Sequence, residues 1–268
     1  MKYLKFTTLI LTFLFCICNL FARSPFLIYY GDNASINYLN NFKVVVLDPD
    51  HYNYVFGLKA YKYGYVSIGE VENYRDYFKF VKNMGVLLKE NKNWKGAYYV
   101  SLKSGKWQDF VINYIIPSVL AKGYNGIFLD TVDSLLLNHE DKGLIIKFIN
   151  SIKKRFPHIK LMLNRGFAIA NMVDIDAILL ESTITTYNFK TQKYSFLNLN
   201  KRYQFNKKVE EFSVDYWYLN DIKTIEKIYK KALKLGYKPF VSDISLQKLP
   251  KIRYDEDSKS FVYTNNNM

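Results

Sequence analysis

The sequence has 268 residues, a net charge of +14 from 38 Lys and Arg against 24 Asp and Glu, and a hydrophobic share of 49%. This composition excludes a disordered protein, a collagen-like fibre and a small protein held together by disulfide bonds. A chain of this size can bury one large core, and we predict a single domain. Because Lys, Asn, Ile and Tyr are common throughout, the positive charge argues only weakly for a polyanionic partner.

Residues 1–22 have the form of a secretory signal. Lys2 and Lys5 precede the apolar run Leu9–Ile17, and Ala22 is a small residue where a signal peptidase would cut. The apolar run is shorter than the roughly 20 residues that a membrane-spanning helix needs. We therefore predict a signal peptide cleaved after Ala22, a secreted or periplasmic protein, and contact with the membrane only during export.

Both cysteines, Cys16 and Cys18, lie inside this segment. The mature chain would then have no disulfide, no thiolate nucleophile and no metal bound by cysteine. Without its first 22 residues, which include two lysines and no acid, the chain has 246 residues and a net charge of +12. That length is typical of a (β/α)8 barrel, which has about 250 residues.

From Arg23 onward, short apolar runs rich in β-branched and aromatic residues recur along the chain. Runs with little polar alternation are typical of strands that are covered on both faces, as in a parallel sheet. The eight predicted strands are, in chain order, Phe26–Tyr30, Lys43–Leu47, Gly64–Ile68, Gly126–Leu129, Ile159–Leu163, Ala177–Leu180, Glu211–Val214 and Pro239–Ser242.

Helix-like segments lie between several of these strands. Apolar residues recur at helical spacing in residues 107–115, 144–152 and 222–233, with Tyr114 included in the first set. Gly123 and Gly236 follow two helix-like segments, where a glycine in the left-handed conformation can end a helix. The alternation predicts an α/β fold, a single (β/α)8 TIM barrel over residues 23–254. The polar residues 255–268 are predicted to form a mobile tail.

Acidic residues follow the predicted strands, at the end of a TIM barrel where active sites lie. Asp130 and Glu181 each end an apolar run directly, so folding would partly remove their carboxylates from water. For Asp48, Asp133 and Asp243, an equally good interpretation is that the side chain caps the following helix. The acids at the strand ends are Asp48, Glu70, Glu72, Asp130, Asp133, Glu181, Asp215 and Asp243.

Two carboxyl groups, one ionised and one protonated, are the minimal equipment for hydrolysis of a glycosidic bond. One attacks the anomeric carbon or activates water, and the other protonates the leaving oxygen. Aromatic side chains near the loops can stack on sugar rings, and the candidates are Trp94, Tyr98, Trp107, Tyr216 and Trp217. These features predict a polysaccharide or oligosaccharide substrate.

Other chemistries have weaker support in the sequence. The three histidines lie on separate segments without the spacing of a zinc site or a Ser-His-Asp triad, and there is no glycine-rich phosphate loop. One enzyme alternative stays open, in which Asp48, Asp130 and Asp133 hold Mg²⁺ or Ca²⁺. The lysine runs on the predicted helices are typical of solvated faces. We expect no cofactor, no resident metal and no nucleic-acid partner.

Several segments occur in an order that resembles a known family. They are Val66-Ser-Ile-Gly-Glu-Val-Glu-Asn-Tyr-Arg75, Gly123-Tyr-Asn-Gly-Ile-Phe-Leu-Asp-Thr-Val-Asp133, Leu161-Met-Leu-Asn164, the strand that ends at Glu181, and Val214-Asp-Tyr216. Together they resemble glycoside hydrolase family 114 and its extracellular relatives, which are endo-α-1,4-polygalactosaminidase-like TIM barrels. The resemblance covers residues Phe26 to Leu249.

The resemblance implies roles for individual residues. Asp130 matches the nucleophile and Glu181 the acid/base. Glu70, Glu72 and Arg75 match a motif in which an arginine–carboxylate pair would fix the rim of the site. Asn164 and Asp215 match positions that would bind sugar hydroxyls or hold the acid/base. The full set of other implied substrate-binding residues is Asp48, Asp133, Asn164, Asp215 and Tyr216.

One departure from the family leaves the sugar open. The polygalactosaminidases carry an asparagine soon after the fourth-strand acid, whereas this chain has Thr131-Val132-Asp133. Galactosamine polymers and neutral or acetylated glycans therefore all stay candidates. We predict an exported, monomeric glycosidase that cuts within an extracellular amino-sugar polysaccharide. The rival hypotheses are a barrel that binds sugar without cleaving it and a metal-dependent hydrolase or lyase.

Overall fold

The computed structural model describes residues 23–198 and 202–264. Its strands are β1 Ser24–Tyr29, β2 Phe42–Leu47, β3 Tyr61–Ser67, β4 Glu70–Glu72, β5 Leu87–Glu90, β6 Ala97–Val100, β7 Gly126–Asp130, β8 Lys160–Asn164, β9 Ala177–Glu181, β10 Thr185–Asn188, β11 Lys193–Phe196, β12 Glu210–Tyr216, β13 Lys238–Ser242, β14 Ile252–Asp255 and β15 Ser260–Tyr263. Its helices are α1 Ile36–Leu39, α2 Phe78–Asn83, α3 Lys106–Phe110, α4 Ile116–Ala121, α5 Val132–Leu137, α6 Lys142–Arg155 and α7 Ile222–Lys234, with a π-helical segment Val111–Ile115 and a 3₁₀ turn Ala170–Met172.

Eight of the strands form a nearly closed parallel barrel. Neighbours are hydrogen-bonded in the order β1-β2-β3-β7-β8-β9-β12-β13, and β13 lies beside β1. Each of these strands overlaps one of the predicted apolar runs, so the predicted TIM barrel is confirmed. The ring of Phe26 lies 4.7 Å from that of Phe212 and 6.4 Å from that of Phe240, centroid to centroid. This aromatic cluster fills the barrel interior beneath the mouth.

Helix α7 shows how local sequence sets the helix ends. Asp221 caps its start, because the carboxylate accepts a hydrogen bond of 3.2 Å from the Thr224 N–H. At its end, Gly236 has a φ of 82°, and its N–H donates to the Leu233 carbonyl at 2.9 Å. Gly236 therefore takes the left-handed position that the sequence predicts.

The π-helical segment between α3 and α4 changes one predicted detail. Tyr114 has helical spacing to the buried residues Trp107 and Phe110, yet 66% of Tyr114 is exposed. A π turn contains an extra residue, which rotates the following side chains around the helix axis. The buried face continues through Ile115 and Ile116 instead.

Two inserts stand at the mouth of the barrel, where the parallel strands have their C-terminal ends. After β3 the chain forms a small antiparallel sheet with the order β4-β6-β5, and after β9 it forms the hairpin β10–β11. The inserts add walls to the mouth, and the barrel strands supply its floor.

The C-terminal residues differ from the predicted tail over 255–268. β14 pairs with β15 as an antiparallel hairpin that reaches Tyr263 and lies against β1 and β13. Arg253 donates a hydrogen bond of 2.9 Å to the Ser24 hydroxyl, Asp255 is fully buried, and the ring of Phe261 packs on that of Tyr229. The prediction of a tail from residue 255 is therefore wrong for the described part, because this hairpin covers the outside of the barrel where its first and last strands meet.

Two of the predicted segments fall outside the described residues. They are the signal peptide, residues 1–22, and the last four residues, 265–268. Within residues 23–198 and 202–264, no helix is long and apolar enough to cross a membrane.

Candidate active site

A cavity of about 790 Å³ opens at the C-terminal ends of the barrel strands. Both inserts and the loops after β2, β7, β8 and β13 contribute to its wall. It brings together nine of the ten predicted site residues, namely Asp48, Glu70, Glu72, Arg75, Asp130, Asp133, Asn164, Glu181 and Tyr216.

Asp130 and Glu181 are held by one amide group. Asp130, Asn164 and Glu181 are the last residues of three successive barrel strands, β7, β8 and β9. The Asn164 Nδ2 donates to Asp130 Oδ1 at 2.6 Å and to Glu181 Oε1 at 3.1 Å. The two acceptor oxygens therefore lie no further apart than the sum of these lengths, 5.7 Å. Two straight hydrogen bonds from a planar amide, whose N–H bonds diverge by about 120°, would place these two oxygens about 5 Å apart.

The residue after each of these three side chains has a left-handed backbone. The φ angles are 62° at Thr131, 54° at Arg165 and 56° at Ser182. This conformation costs a non-glycine residue of order 1 kcal/mol or more. Compensating contacts hold it, since the Thr131 hydroxyl accepts a hydrogen bond from the Gly69 N–H at 2.8 Å and the Arg165 N–H donates to the Leu179 carbonyl at 2.9 Å. The chain thus turns sharply away while the last side chain of each strand stays in the cavity.

Burial and mutual repulsion set the protonation of the pair. Burial raises the pKa of Glu181, and the charge of Asp130 raises it further, to about 7. Burial also raises the pKa of Asp130, although hydrogen bonds from Asn164 and the Thr131 backbone lower it. Two close buried carboxyls do not ionise together readily. With its shorter bond to the amide, Asp130 carries the charge, and Glu181 carries the proton below neutral pH.

Three tyrosine hydroxyls surround the pair. The Tyr216 hydroxyl hydrogen-bonds to Glu181, and the Tyr65 hydroxyl lies beside Asp130 while it donates to Glu72 at 3.0 Å. Burial raises the pKa of Tyr30, and the charges of the two acids raise it further, so Tyr30 stays a protonated donor. Sequence reasoning missed Tyr30 and Tyr65, for which the one available signal was their position in predicted strands.

Arg75 gathers carboxylates on one side of the cavity. Its Nη1 donates to Asp48 at 2.8 Å and to Asp50 at 2.7 Å, and its Nε donates to Glu72 at 3.2 Å. The side chains of Arg75 and Asp48 are only 5% and 6% exposed. The guanidinium also lies 5.3 Å from the ring centre of Tyr65, within the range of a cation–π contact. Arg75 thus fixes Glu72 and Tyr65 at the edge of the site.

Glu70 is a second buried carboxylate in the cavity, 4% exposed. It accepts a hydrogen bond of 3.0 Å from Asn91 and another from the Ser134 hydroxyl. Burial raises the pKa of Glu70, and the charge of Asp130 adds to the rise. Sequence reasoning missed Asn91 and Ser134, because neither follows a barrel strand directly.

Asp133 holds a neighbouring loop rather than its own helix. It lies in the first turn of α5, which has no side-chain cap. Its carboxylate instead accepts hydrogen bonds from Arg165 Nε at 2.8 Å and from the Gly166 N–H at 3.1 Å. The capping interpretation is therefore wrong for Asp133, and the Arg165 side chain, also missed from the sequence, becomes part of the wall.

Asp215 does not line the cavity, contrary to its predicted place among the substrate-binding residues. It is 1% exposed and accepts hydrogen bonds from the Thr183 hydroxyl at 2.7 Å and from the backbone N–H groups of residues 184 and 185 at 2.7 and 2.9 Å. Neighbours in a strand point to opposite faces, so Tyr216 enters the barrel and Asp215 faces outward. Asp215 holds the loop that directly follows Glu181.

Of the five aromatic residues predicted to stack on sugar, two line the cavity and three do not. Trp94 and Tyr216 line the cavity. Trp107 is fully buried and donates its indole N–H to the Ile68 carbonyl at 2.8 Å. Trp217 and Tyr98 pack on other aromatic rings, those of Tyr194, Phe196, Tyr218 and Phe78. The cavity also contains Tyr187 and Phe189, which the sequence did not single out.

The partners of three carboxylates disfavour the cation-site alternative. Asp48 is paired with Arg75, Asp133 with Arg165, and Asp130 accepts its hydrogen bond from Asn164. Within the part of the chain that the structure describes, no group of three or more potential ligands is arranged to hold a metal ion.

Comparison with known proteins agrees with this architecture. Residues 21–263 match the sequence model of glycoside hydrolase family GH114. The chain belongs to this family. The family 114 match ends at the last residue of β15, so it includes the C-terminal hairpin as well as the barrel.

Three proteins that are similar to this family 114 chain share 13–24% of its residues where they align. An uncharacterised protein of Thermotoga maritima is 24% identical over an alignment of 218 residues. The alignment covers 69% of this chain and 66% of that protein, so the chain spans about two thirds of the relative's length. The glycoside hydrolase domain of PelA from Pseudomonas aeruginosa has a TM-score of 0.71 at 18% identity, covering 84% of this chain and 97% of that domain. Aspergillus fumigatus Ega3, solved in complex with galactosamine, has a TM-score of 0.59 at 13% identity, covering 91% and 95%. These two structures share the fold.

Proposed function

We propose that this family 114 protein is a glycosidase that hydrolyses a polysaccharide with retention of anomeric configuration. The observation that carries the proposal is the pair Asp130 and Glu181, bound to the single amide of Asn164. Retaining glycosidases have their two carboxyl groups about 5–5.5 Å apart, and inverting ones about 6.5–9.5 Å. The limit of 5.7 Å between the bonded oxygens supports the retaining class.

In the first step, a carboxylate oxygen of Asp130 attacks the anomeric carbon while Glu181 gives its proton to the glycosidic oxygen. The bond between the anomeric carbon and that oxygen breaks, the leaving sugar departs as an alcohol, and the remaining sugar is bound to Asp130 as an ester. The raised pKa of Glu181, about 7, supports its role as the proton donor.

In the second step, the ionised Glu181 takes a proton from water, whose oxygen attacks the anomeric carbon. The ester bond to Asp130 breaks, the sugar is released with its original configuration, and Glu181 is protonated again. Asn164 stays bonded to both carboxyls and holds them on opposite sides of the reaction. Tyr216 supports the ionised form of Glu181, because its hydrogen bond lowers the pKa of that carboxyl.

The charge of the cavity supports an amino-sugar substrate. Six carboxyl groups line it against three cationic side chains, Arg75, Lys95 and Arg165, although the whole chain has a net charge of +14. A local excess of negative charge attracts a substrate ammonium group and favours the positive charge that develops in an oxocarbenium-like transition state. The complex of Ega3 with galactosamine supports the same class of sugar for this chain.

Location and assembly complete the proposal. The signal-like residues 1–22 support export, which gives access to an extracellular polysaccharide. We propose that the enzyme is a monomer.

The test is an assay of reducing-end release from α-1,4-linked galactosamine oligosaccharides and from their acetylated counterparts. Asp130→Asn and Glu181→Gln should each lower kcat by at least about a hundredfold. The controls Asp174→Asn and Glu256→Gln make the same chemical changes outside the cavity and should leave kcat unchanged. An active wild type whose turnover survives both cavity substitutions would overturn the assignment. Oligosaccharide binding without product would favour the binding-only barrel, and loss of activity with a chelator would favour the metal-dependent enzyme.

A further inference from the structure

Two aromatic side chains of the cavity are exposed to solvent although they touch each other. Trp94 is 48% exposed and Phe189 is 40% exposed, and their rings meet edge to face with centroids 5.4 Å apart. Both line the same cavity as Asp130 and Glu181. Large apolar side chains that stay exposed next to a polar site are typical of a ligand-binding surface.

The two residues come from different inserts of the barrel. Trp94 lies between β5 and β6, in the insert after the third barrel strand, and Phe189 follows β10, in the insert after the sixth. Their contact therefore joins two separate parts of the rim. Cavity residues lie on both sides of this link, with Asp133 and Arg165 after the fourth and fifth strands, and Gln247 after the eighth.

The aromatic surface continues from Phe189 into the hairpin β10–β11. The ring of Tyr187 lies 5.1 Å from that of Phe189 and 4.9 Å from that of Tyr194, which pairs with Tyr187 across the hairpin. These contacts hold Phe189 in place, so a ligand that stacks on it orders few additional rotamers.

We propose that Trp94 and Phe189 form an aromatic bridge across the mouth of the barrel that stacks on a pyranose ring of the substrate, away from the bond that is cut. The sugar class rests on the proposed function. A pyranose presents C–H groups on its faces and hydroxyls around its edge, which matches an aromatic surface next to carboxylates and amides. Because the cavity extends on both sides of the bridge, a chain bound beneath it is cut internally, and longer chains bind more tightly than short ones.

Binding in a catalytically disabled background tests the bridge separately from catalysis. The chain has three tryptophans, of which Trp107 is fully buried and Trp217 does not line the cavity, so a fluorescence change on binding reports on Trp94. The probes are α-1,4-linked galactosamine oligosaccharides, from disaccharide to octasaccharide, added to the full chain with Asp130→Asn. We expect affinity to rise with chain length.

Removal of either aromatic ring should reduce this increase of affinity with chain length. Trp94→Ala and Phe189→Ala should weaken binding of the octasaccharide by about tenfold, with a smaller loss for the disaccharide, measured by calorimetry. Tyr54→Ala is the matched control, because Tyr54 is 71% exposed and contacts Phe56 outside the cavity. The control should bind every oligosaccharide as the parent does, and all variants should keep the parent's melting temperature.

The outcomes separate the two proposals. Affinity that is independent of chain length, or unchanged by both aromatic substitutions, overturns the bridge even if the wild type cleaves the oligosaccharides. Binding that depends on Trp94 and chain length, in a wild-type protein that releases no product, supports the bridge and overturns the hydrolase. If the aromatic variants melt at a lower temperature and lose the same factor in affinity for every oligosaccharide length, the rings have a structural role and the bridge is overturned.

Discussion

Replacement of Glu181 by glutamine should change how the stability of the protein depends on pH. Burial and the charge of Asp130 raise the pKa of Glu181 from an ordinary 4.5 to about 7 in the folded protein. Between these values the folded state keeps a proton that the unfolded state has lost. Stability from this group is therefore fully present below about pH 4.5 and is lost as the pH rises through about 7.

The size of the effect follows from the same numbers. At about 1.4 kcal/mol for each pH unit, ionising Glu181 in the folded protein costs at most about 3.5 kcal/mol. Glutamine has a similar shape and does not ionise, so Glu181→Gln avoids this cost. The free energy of unfolding of the variant, relative to wild type, should become more favourable by about 2–3 kcal/mol between about pH 5 and about pH 8.

Urea unfolding at the two pH values measures this difference. Glu256→Gln is the control, because Glu256 is on the surface and its ion pair with Lys43 contributes little. In a background of Asp130→Asn the pH dependence should weaken, since the Asp130 charge is the second cause of the raised pKa. A difference between Glu181→Gln and wild type that is equal at both pH values would refute the reasoning, because Glu181 would then ionise like an ordinary carboxylate.

Three further substitutions test the supporting residues. Asn164→Ala removes the amide that donates to both carboxyls, so kcat/KM should fall by about a hundredfold and the acidic limb of its pH profile should move upward, as pH–rate profiles would show. Asp215→Ala leaves two buried backbone N–H groups near Glu181 unpaired, and urea unfolding should show a loss of about 3 kcal/mol; a loss below about 1 kcal/mol would contradict the role of this loop. Arg75→Met leaves the buried Asp48 without its ion-pair partner, so the free energy of unfolding at neutral pH should fall by about 3–5 kcal/mol. A decrease equal to that of the exposed control Arg202→Met would contradict this.

The barrel could be predicted because its strands are covered on both faces. Runs such as Gly126–Leu129 and Ala177–Leu180 contain almost no polar residue, and the structure buries all of them. The carboxylates that end these runs, Asp130 and Glu181, were predictable for the same reason, because a polar residue directly after a buried strand is conspicuous.

Side-chain direction at the strand ends was not predictable from one sequence. Asp215 and Tyr216 follow the same apolar run, and only the register of β12 in the barrel decides that Tyr216 enters the cavity while Asp215 binds the loop outside it. The inserts were missed because their strands are short and partly exposed, so β5 and β11 have no clear apolar pattern. Trp94 and Phe189 lie in these two inserts, so their contact could not be predicted from the sequence and is visible only in the tertiary structure.

The configuration of the first product tests the central claim most directly. Nuclear magnetic resonance can follow the anomeric proton during cleavage of an α-linked galactosamine oligosaccharide, before the product equilibrates in water. Attack by Asp130 followed by attack of water inverts the anomeric carbon twice, so the first product should be the α anomer. Accumulation of the β anomer first would show a single displacement by water and would contradict the assignment of Asp130 as the nucleophile.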